Sequence, residues 1–315
     1  MHRRLASLTV DLEDYRRQEL RDCLGGEIPP HPAEVERQLD ALLELLDYCD
    51  AHATVFAVGR LASELPGRCW SAIMSKHTLG CHGHEHLSVR MMGAARFRSD
   101  LRQSKAALED VAGAEVIAFR APYFSADHCN PWFGEILAEC GFSIDSSYRL
   151  RSAPPRFAGL MNMPGSVGAV REVPLLALGY GLKRITVIGG TYLRVLPLRV
   201  VLTLLDLAKC KGFIPLVYVH PYDIDPHAEP LDLPRIGHAL GRLGDRVRHL
   251  GRSGSGKKLR ALSRVYEFQP VEYFVSLERT LPITGVPRVA DDPEQLTTPR
   301  AAPERPGPHR EHHFD

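Results

Sequence analysis

The chain has 315 residues, of which 44% are hydrophobic and 24% are charged. This composition is ordinary for a globular protein, and it excludes a fibrous repeat, a wholly disordered chain and a bundle of membrane helices. Lys and Arg number 39 against 38 Asp and Glu, a formal net charge of +1. A nearly neutral chain gives no electrostatic reason to expect nucleic acid as a partner.

Cysteine usage and the N-terminus favour a cytoplasmic location. The seven cysteines are scattered without a CxxC pair, which is typical of a reducing compartment. The apolar stretch at 5–10 is interrupted by acids and is too short for a signal-peptide core. The most apolar later segment, 192–219, carries several charges, so we predict no membrane span.

Apolar segments alternate with helical segments along the chain. Strands are predicted at 5–10, 53–58, 78–81, 116–119, 142–145 and 213–219, and helices at 32–50, 60–77, 94–111, 130–140 and 195–211. Such alternation is typical of parallel β/α units, in which chemistry collects at the ends of strands. Residues 151–194 are predicted to be irregular, and 231–278 to form two or three helices and a final strand at 271–276. A disordered, proline-rich tail is predicted from residue 286.

Five polar clusters each follow a predicted strand. They are Asp11-Leu-Glu-Asp14, the HGHEH segment from His82 to His86, Arg120-Ala-Pro122, Asp145, and His220-Pro221. Because the ends of parallel strands meet at one edge of the sheet, we expect these side chains to come together.

The spacing of the histidines and acids indicates a metal site. His82 and His86 are four residues apart, which places both imidazoles on one face of a helical turn. With one acid they would complete three ligands and leave a position open, as catalytic zinc sites require. On an extended strand Asp11 and Glu13 share a face, whereas Asp14 enters only if the strand ends earlier. The alternative is a polar loop beside a solvated strand end.

The remaining clusters have both a structural and a catalytic interpretation. Arg120 is either a solvated charge or the group that orients and ionises Asp11. Asp145 and His220 are uninformative singly. As a pair, the carboxylate would hold the imidazole protonated, as a general acid needs.

Taken together, the five clusters resemble the motifs of the polysaccharide deacetylases, carbohydrate esterase family 4, also called the NodB-homology group. The segments VDLEDY, RAPYFS, DSSY and VYVHPYDIDP are similar to the branch associated with bacterial exopolysaccharide and exosortase loci. The resemblance implies an α/β fold, a distorted (β/α) barrel of about seven parallel strands with a small C-terminal helical extension. The implied boundaries are a catalytic barrel at 1–228, an extension at 229–285 and the tail at 286–315.

The resemblance also implies one divalent metal ion, with Zn²⁺ favoured over Co²⁺ or Ni²⁺. Its ligands would be His82 and His86, with Glu13 preferred to Asp14 as the third. The first motif departs from the family's commonest form, TFDDG, by an extra residue between the acids. The ambiguity between the two acids therefore stays open.

The implied reaction is removal of N-acetyl groups from amino sugars of a polysaccharide or its precursor, with release of acetate. Asp11 would be the catalytic base, tethered by Arg120, and His220 the general acid with Asp145 behind it. The backbone N–H of Tyr123 would help to hold the oxyanion. The candidate substrate contacts are Tyr123, His84 and Tyr222, and the expected partner is an N-acetylated glycan.

Other interpretations remain. A hydrolase of a non-sugar amide could use the same barrel, and so could a non-catalytic glycan-binding relative, although a retained base, tether and acid argue against the latter. The segment 251–258 is close to a phosphate-binding loop, but Lys258 stands where Ser or Thr is needed, so a basic turn is favoured. The tail residues His309, Glu311, His312 and His313 are predicted to bind metal adventitiously at most.

Overall fold

The computed structural model describes residues 3–126, 130–152, 160–179, 185–186, 188–227 and 250–280. The strands in these ranges are β1 Arg4–Leu12, β2 Thr54–Ala57, β3 Thr78–Cys81, β4 Ala118–Phe119, β5 Ile144–Asp145, β6 Arg149–Leu150, β7 Met161–Asn162, β8 Arg171–Glu172, β9 Leu175–Leu178, β10 Ile185–Thr186, β11 Leu216–Val219 and β12 Tyr266–Gln269. The α-helices are α1 Tyr15–Leu24, α2 Pro32–Tyr48, α3 Leu61–Glu64, α4 Gly67–Lys76, α5 Ala94–Ala112, α6 Phe133–Glu139, α7 Gly190–Val195, α8 Leu198–Cys210, α9 Arg252–Ser263 and α10 Val271–Thr280. Short 3₁₀ turns cover Val89–Met91, Pro122–Phe124 and Pro221–Asp223.

The central sheet has the order β11-β1-β2-β3-β4-β5-β8-β7, and β12 also pairs with β1. All of these pairings are parallel except that of β7 with β8. Seven strands from β11 to β8 therefore run in one direction with helices packed around them. This confirms the predicted distorted (β/α) barrel. A second small sheet has the order β10-β9-β6.

The two faces of β1 differ in chemistry. Leu8, Val10 and their neighbours on one face are buried in the main hydrophobic cluster, which also takes the apolar side of α2. On the other face, Thr9 and Asp11 are equally buried but polar. Because alternate strand residues share a face, this pattern carries Asp11 to the inside of the barrel.

The C-terminal part of the sequence folds differently from the prediction. Residues 271–276 lie in helix α10, so the strand predicted there is wrong, and the strand of this region is β12 just before it. Val271 and Val275 are buried four residues apart, and Pro270 precedes the helix, both of which are helical signals. A strand from the predicted extension thus joins the central sheet beside β1.

The structure also bears on the predictions for residues 251–258 and for a membrane span. The basic turn predicted at 251–258 is wrong, because residues 252–258 lie in helix α9 after the N-cap Gly251. Lys258 Nζ donates to the carbonyls of Leu193 and Arg194 at 2.9 and 2.6 Å. The predicted tail from residue 286 lies outside the described residues. Within the described residues, no helix combines the length and the apolar character that crossing a membrane requires.

Candidate active site

Arg120 lies just beyond β4 and binds the carboxylate at the end of β1. Its Nη1 donates to Asp11 Oδ1 at 2.8 Å and to Thr9 Oγ1 at 2.7 Å. The other guanidinium nitrogens donate to the backbone oxygen and the hydroxyl of Ser146, at 3.0 and 2.9 Å. With every nitrogen bonded and the side chain 0% exposed, Arg120 holds one face of Asp11 rigidly.

Asp11 keeps its charge despite its burial. Burial alone would raise the pKa of this carboxyl, but the Arg120 guanidinium, followed by His82 and His220, holds the pKa below its usual value. The second oxygen, Oδ2, is turned away from Arg120 and lies 3.9 Å from His220 Nε2. Asp11 is therefore an ionised acceptor that faces the site.

Glu13, His82 and His86 form one buried cluster. Each offers one ligand atom, and these atoms lie within 4.8 Å of one another. His82 Nδ1 donates to the carbonyl of Arg120 at 2.8 Å, which leaves the lone pair of Nε2 available. His86 Nε2 lies 2.6 Å from Glu13 Oε2.

The electrostatics of this cluster suit a cation. Burial would raise the pKa of Glu13, but His86 next to it lowers the pKa to about 2. Burial lowers the pKa of His82 to about 4, so its imidazole is neutral at physiological pH. A carboxylate and two imidazoles are a donor set that catalytic Zn²⁺ uses, and the residues present fit a divalent ion.

Asp14 is committed elsewhere. It is the N-cap of α1, where its Oδ1 accepts from the backbone N–H of Arg17 at 2.9 Å. Its Oδ2 accepts from the backbone N–H of His31 at 2.7 Å. Since both oxygens satisfy backbone donors, the structure brings Glu13, and not Asp14, to the histidines.

His220 follows β11, and its carboxylate partner comes from the next turn. His220 Nδ1 donates to Asp223 Oδ2 at 2.8 Å, and Arg194 Nε lies 3.0 Å from the other oxygen. Burial would lower the pKa of His220, but Asp223, followed by Glu13 and Asp11, raises it to about 9. The imidazole is therefore protonated at neutral pH and directs Nε2 towards Asp11 and Glu13, each 3.9 Å away.

The predicted pairing of Asp145 with His220 is wrong. Asp145 accepts from Ser147 Oγ at 2.6 Å and shares a hydrogen bond with Glu172, its register partner on β8. Burial raises the pKa of both carboxyls, and in Glu172 the neighbouring Asp145 raises it further. Asp223 was missed, although Pro at 221 and Asp three residues after His220 form a capping signal.

The candidate substrate contacts occupy three different settings. Tyr123 is 47% exposed, has a left-handed φ of 58° and places its ring 4.7 Å from that of His86. Tyr222 is buried and stacks on His220, with ring centroids 4.6 Å apart. The His84 ring packs closely against Gly59, and its backbone N–H donates to Asp100 at 2.8 Å. Tyr123 thus lies at the surface of the candidate site, Tyr222 packs on His220, and His84 lies outside the cluster of Glu13, His82 and His86.

Comparisons with known proteins show what the sequence and the fold are similar to. The family model for polysaccharide deacetylase matches residues 31–142, and the model for a domain of unknown function, DUF3473, matches residues 144–276. The fold is similar to that of a Mycobacterium smegmatis protein assigned as a polysaccharide deacetylase, with 18% identity and a TM-score of 0.54. The alignment covers 91% of this chain and 93% of that one.

Two weaker structural matches are to a peptidoglycan deacetylase from Bacillus subtilis and a CE4 family pseudoenzyme from Bacillus anthracis. The first has 12% identity and a TM-score of 0.44, covering 88% of this chain and 93% of that one. The second has 14% identity and a TM-score of 0.43, covering 87% and 66%. No curated protein matches the sequence. Residues 31–142 thus resemble polysaccharide deacetylases, and the chain shares its fold with a protein assigned to that class.

Proposed function

We propose that the protein is a Zn²⁺-dependent deacetylase that removes N-acetyl groups from amino sugars of a polysaccharide or its precursor. The observation that supports this is the placement of a tethered base and a tethered acid around one cluster of metal donors. His220 Nε2 lies 3.9 Å from an oxygen of Asp11 and 3.9 Å from an oxygen of Glu13. Binding of a glycan alone needs neither the base nor the acid.

The Glu13, His82 and His86 donors would hold the metal ion. Zn²⁺ at this position would polarise the acetamide carbonyl and lower the pKa of a bound water. His82 is oriented for this role because its Nδ1–H is fixed on the Arg120 carbonyl.

The proton transfers fall to Asp11 and His220. Asp11 Oδ2, the oxygen that does not face Arg120, accepts the proton of the attacking water. His220 Nε2 donates its proton to the departing amine, while Asp223 stabilises the charged imidazole through Nδ1. An amine is a poor leaving group, so the reaction requires this acid. The backbone N–H of Tyr123 is the proposed oxyanion donor.

We place the chain in the exopolysaccharide-associated branch, on the segments VDLEDY and VYVHPYDIDP. The second family model, which spans 144–276, covers the region that supplies His220 and Asp223 and supports this placement. The proposed substrate is therefore an N-acetylated hexosamine in an exopolysaccharide or in the glycan from which it is made.

The test combines metal content with acetate release. Purified protein reconstituted with Zn²⁺ should hold about one ion per chain and release acetate from N-acetylated glucosamine oligosaccharides. The double variant His82→Ala/His86→Ala and the variant Glu13→Gln should lose both properties. The control is Asp14→Asn, which preserves a helix cap and should keep both.

The alternatives give different results. If the protein binds Zn²⁺ and hydrolyses small amides but releases no acetate from any acetylated glycan, the substrate is a non-sugar amide and not a glycan. Glycan binding with no acetate release would make the protein a non-catalytic relative. Loss of Zn²⁺ in Asp14→Asn but not in Glu13→Gln would exchange the third ligand.

A further inference from the structure

Helix α1 begins directly after the acidic strand end and reaches across to the HGHEH segment. Its residue Arg21 donates from Nη1 to the carbonyl of Glu85 at 2.7 Å and from Nη2 to the carbonyl of His86 at 3.0 Å. Nη2 also donates to Gln18 Oε1 at 2.5 Å, one turn earlier on the same helix. The guanidinium is therefore held by Gln18 on its own helix and donates to two successive carbonyls of the HGHEH segment.

His86, whose carbonyl accepts from Arg21, has an unfavourable backbone conformation. His86 has a φ of 52°, in the left-handed region that side-chain-bearing residues seldom adopt. Such a conformation persists only where surrounding contacts impose it. In His86 it coincides with a ring that directs Nε2 at Glu13, 2.6 Å away.

Side chains from two different helices bind the backbone of the segment. Helix α5 holds the first half, because Asp100 accepts from the backbone N–H of His84 at 2.8 Å and Ser104 donates to the carbonyl of Gly83 at 3.0 Å. Arg21 of α1 holds the second half, at the carbonyl of His86 itself. Side chains from α5 and α1 thus bind both backbone N–H groups and backbone carbonyls of the HGHEH segment.

We propose that Arg21 is a positioning residue that fixes His86 as a metal ligand. By holding the His86 carbonyl it maintains the left-handed backbone and hence the direction of the imidazole. Arg21 lies outside the segment that the deacetylase family model matches, which starts at residue 31. The inference rests on the metal site of the proposed function, but not on the identity of the substrate.

The matched control lies on the same helix. Arg17 Nη1 donates to Glu64 Oε1 at 2.7 Å, and its side chain is 11% exposed, against 24% for Arg21. Arg17→Gln therefore removes an ion pair of α1 at least as buried as Arg21, without removing a contact to the ligand segment. Arg21→Gln removes the hydrogen bonds to the carbonyls of Glu85 and His86. Arg21→Lys retains a cation that can reach one carbonyl but cannot bind two in fork geometry.

The experiment measures Zn²⁺ affinity by competition with a chromophoric chelator, in the full chain. Partners that orient a ligand typically change metal affinity about 10–100-fold when removed, and we expect a loss in this range for Arg21→Gln. We expect a smaller loss for Arg21→Lys and wild-type affinity for Arg17→Gln. The visible spectrum of the Co²⁺-loaded protein, which reports ligand number and geometry, should change in Arg21→Gln only.

Thermal unfolding of the metal-free proteins separates positioning from general stability. If Arg17→Gln lowers the midpoint as much as Arg21→Gln but keeps its Zn²⁺ affinity, the effect of Arg21 is on the ligand. Equal affinities of wild type and Arg21→Gln, equal losses in both Gln variants, or a wild type that binds no Zn²⁺ would overturn the inference. A wild type that binds Zn²⁺ but releases no acetate would contradict the proposed function alone.

Discussion

Asp11 and Asp145 are two buried aspartates at ends of strands in the same sheet, and their pKa values are shifted in opposite directions. Their side chains are exposed by at most 4%, so burial disfavours the charged form of both. Asp11 is in direct contact with the Arg120 guanidinium, and its pKa is lowered. In Asp145 burial raises the pKa, and the hydrogen bonds from Glu172 and Ser147 offset this only in part.

The difference shows that the contacting partner, and not the depth of burial, sets the chemistry of a strand-end acid. Arg120 also attracts Asp145, but without a direct hydrogen bond this attraction does not offset burial. Two adjacent buried carboxyls cannot both ionise, so Asp145 and Glu172 share a proton. Asp11, which is ionised and bound by Arg120 through one oxygen only, is therefore the candidate base of the site.

The largest difference is expected when each of the two aspartates is replaced by asparagine. Asp11→Asn should lower kcat for acetate release about 10²–10⁴-fold, the usual contribution of a general base, while Zn²⁺ content is unchanged. Asp145→Asn should stay close to wild type, because the amide still accepts from Ser147 and can donate to Glu172. An inactive Asp145→Asn that remains folded and metal-loaded would return Asp145 to a catalytic role.

Removing the Arg120 guanidinium should raise the pKa of Asp11, as burial raises that of Asp145. Arg120→Met leaves a buried carboxylate without its partner, and we expect the free energy of unfolding in urea to fall by about 3–5 kcal/mol. The double variant Arg120→Met/Asp11→Asn should recover part of that loss, because the unpaired charge is gone. A double variant no more stable than Arg120→Met would show that the cost comes from Ser146 and packing instead.

The acid side of the reaction can be weakened at Asp223. A raised pKa keeps His220 protonated until the pH passes about 9. Asp223→Asn removes the largest stabiliser of that charge, so the alkaline limb of kcat/KM should move to lower pH, with about a 10–100-fold loss at pH 8. The control is Asp225→Asn, since Asp225 binds Arg37 and Gln38 and not the imidazole. An unmoved alkaline limb in Asp223→Asn would remove Asp223 from this role.

The smallest expected effect concerns the Asp145–Glu172 pair. Because burial raises both pKa values, the folded state binds more protons than the unfolded state. The stabilisation from this pair is complete below the unfolded pKa values and is lost as pH rises through the folded ones. Glu172→Gln should therefore reduce the fall in unfolding free energy between pH 5 and 8 by about 1 kcal/mol, measured by urea titration at each pH. A slope identical to wild type would place the shared proton elsewhere.

Much of the barrel and of the site could be predicted from the sequence. The apolar runs that became β1, β3 and β11 are short and bounded by polar residues, and a residue after each of these runs enters the site. Asp11, Glu13 and Arg120 were identifiable because strand alternation and strand-end position are local properties. Their contacts follow from the parallel order of the sheet.

The remaining parts depend on properties that a single sequence hides. Helix α1 buries only Gln18, so it has no apolar periodicity, and its Arg21 gave no signal. The resemblance and the need for a carboxylate beside a protonated imidazole pair His220 with Asp145, yet the carboxylate that binds the imidazole is Asp223, three residues away. The choice between Glu13 and Asp14 required the backbone N–H groups that Asp14 caps.

Strand β1 pairs with segments that are far apart along the chain. Its neighbours are Thr54–Ala57, Leu216–Val219 and Tyr266–Gln269, so β1 is synthesised before all three and completes its hydrogen bonding only with the last of them. Such non-local pairings are slow to form and leave strand edges exposed meanwhile. On the ribosome, Asp11 leaves the exit tunnel long before His220 does. A nascent chain halted before residue 266 therefore presents an unpaired edge of β1, and we expect such chains to depend on chaperones and to aggregate without them.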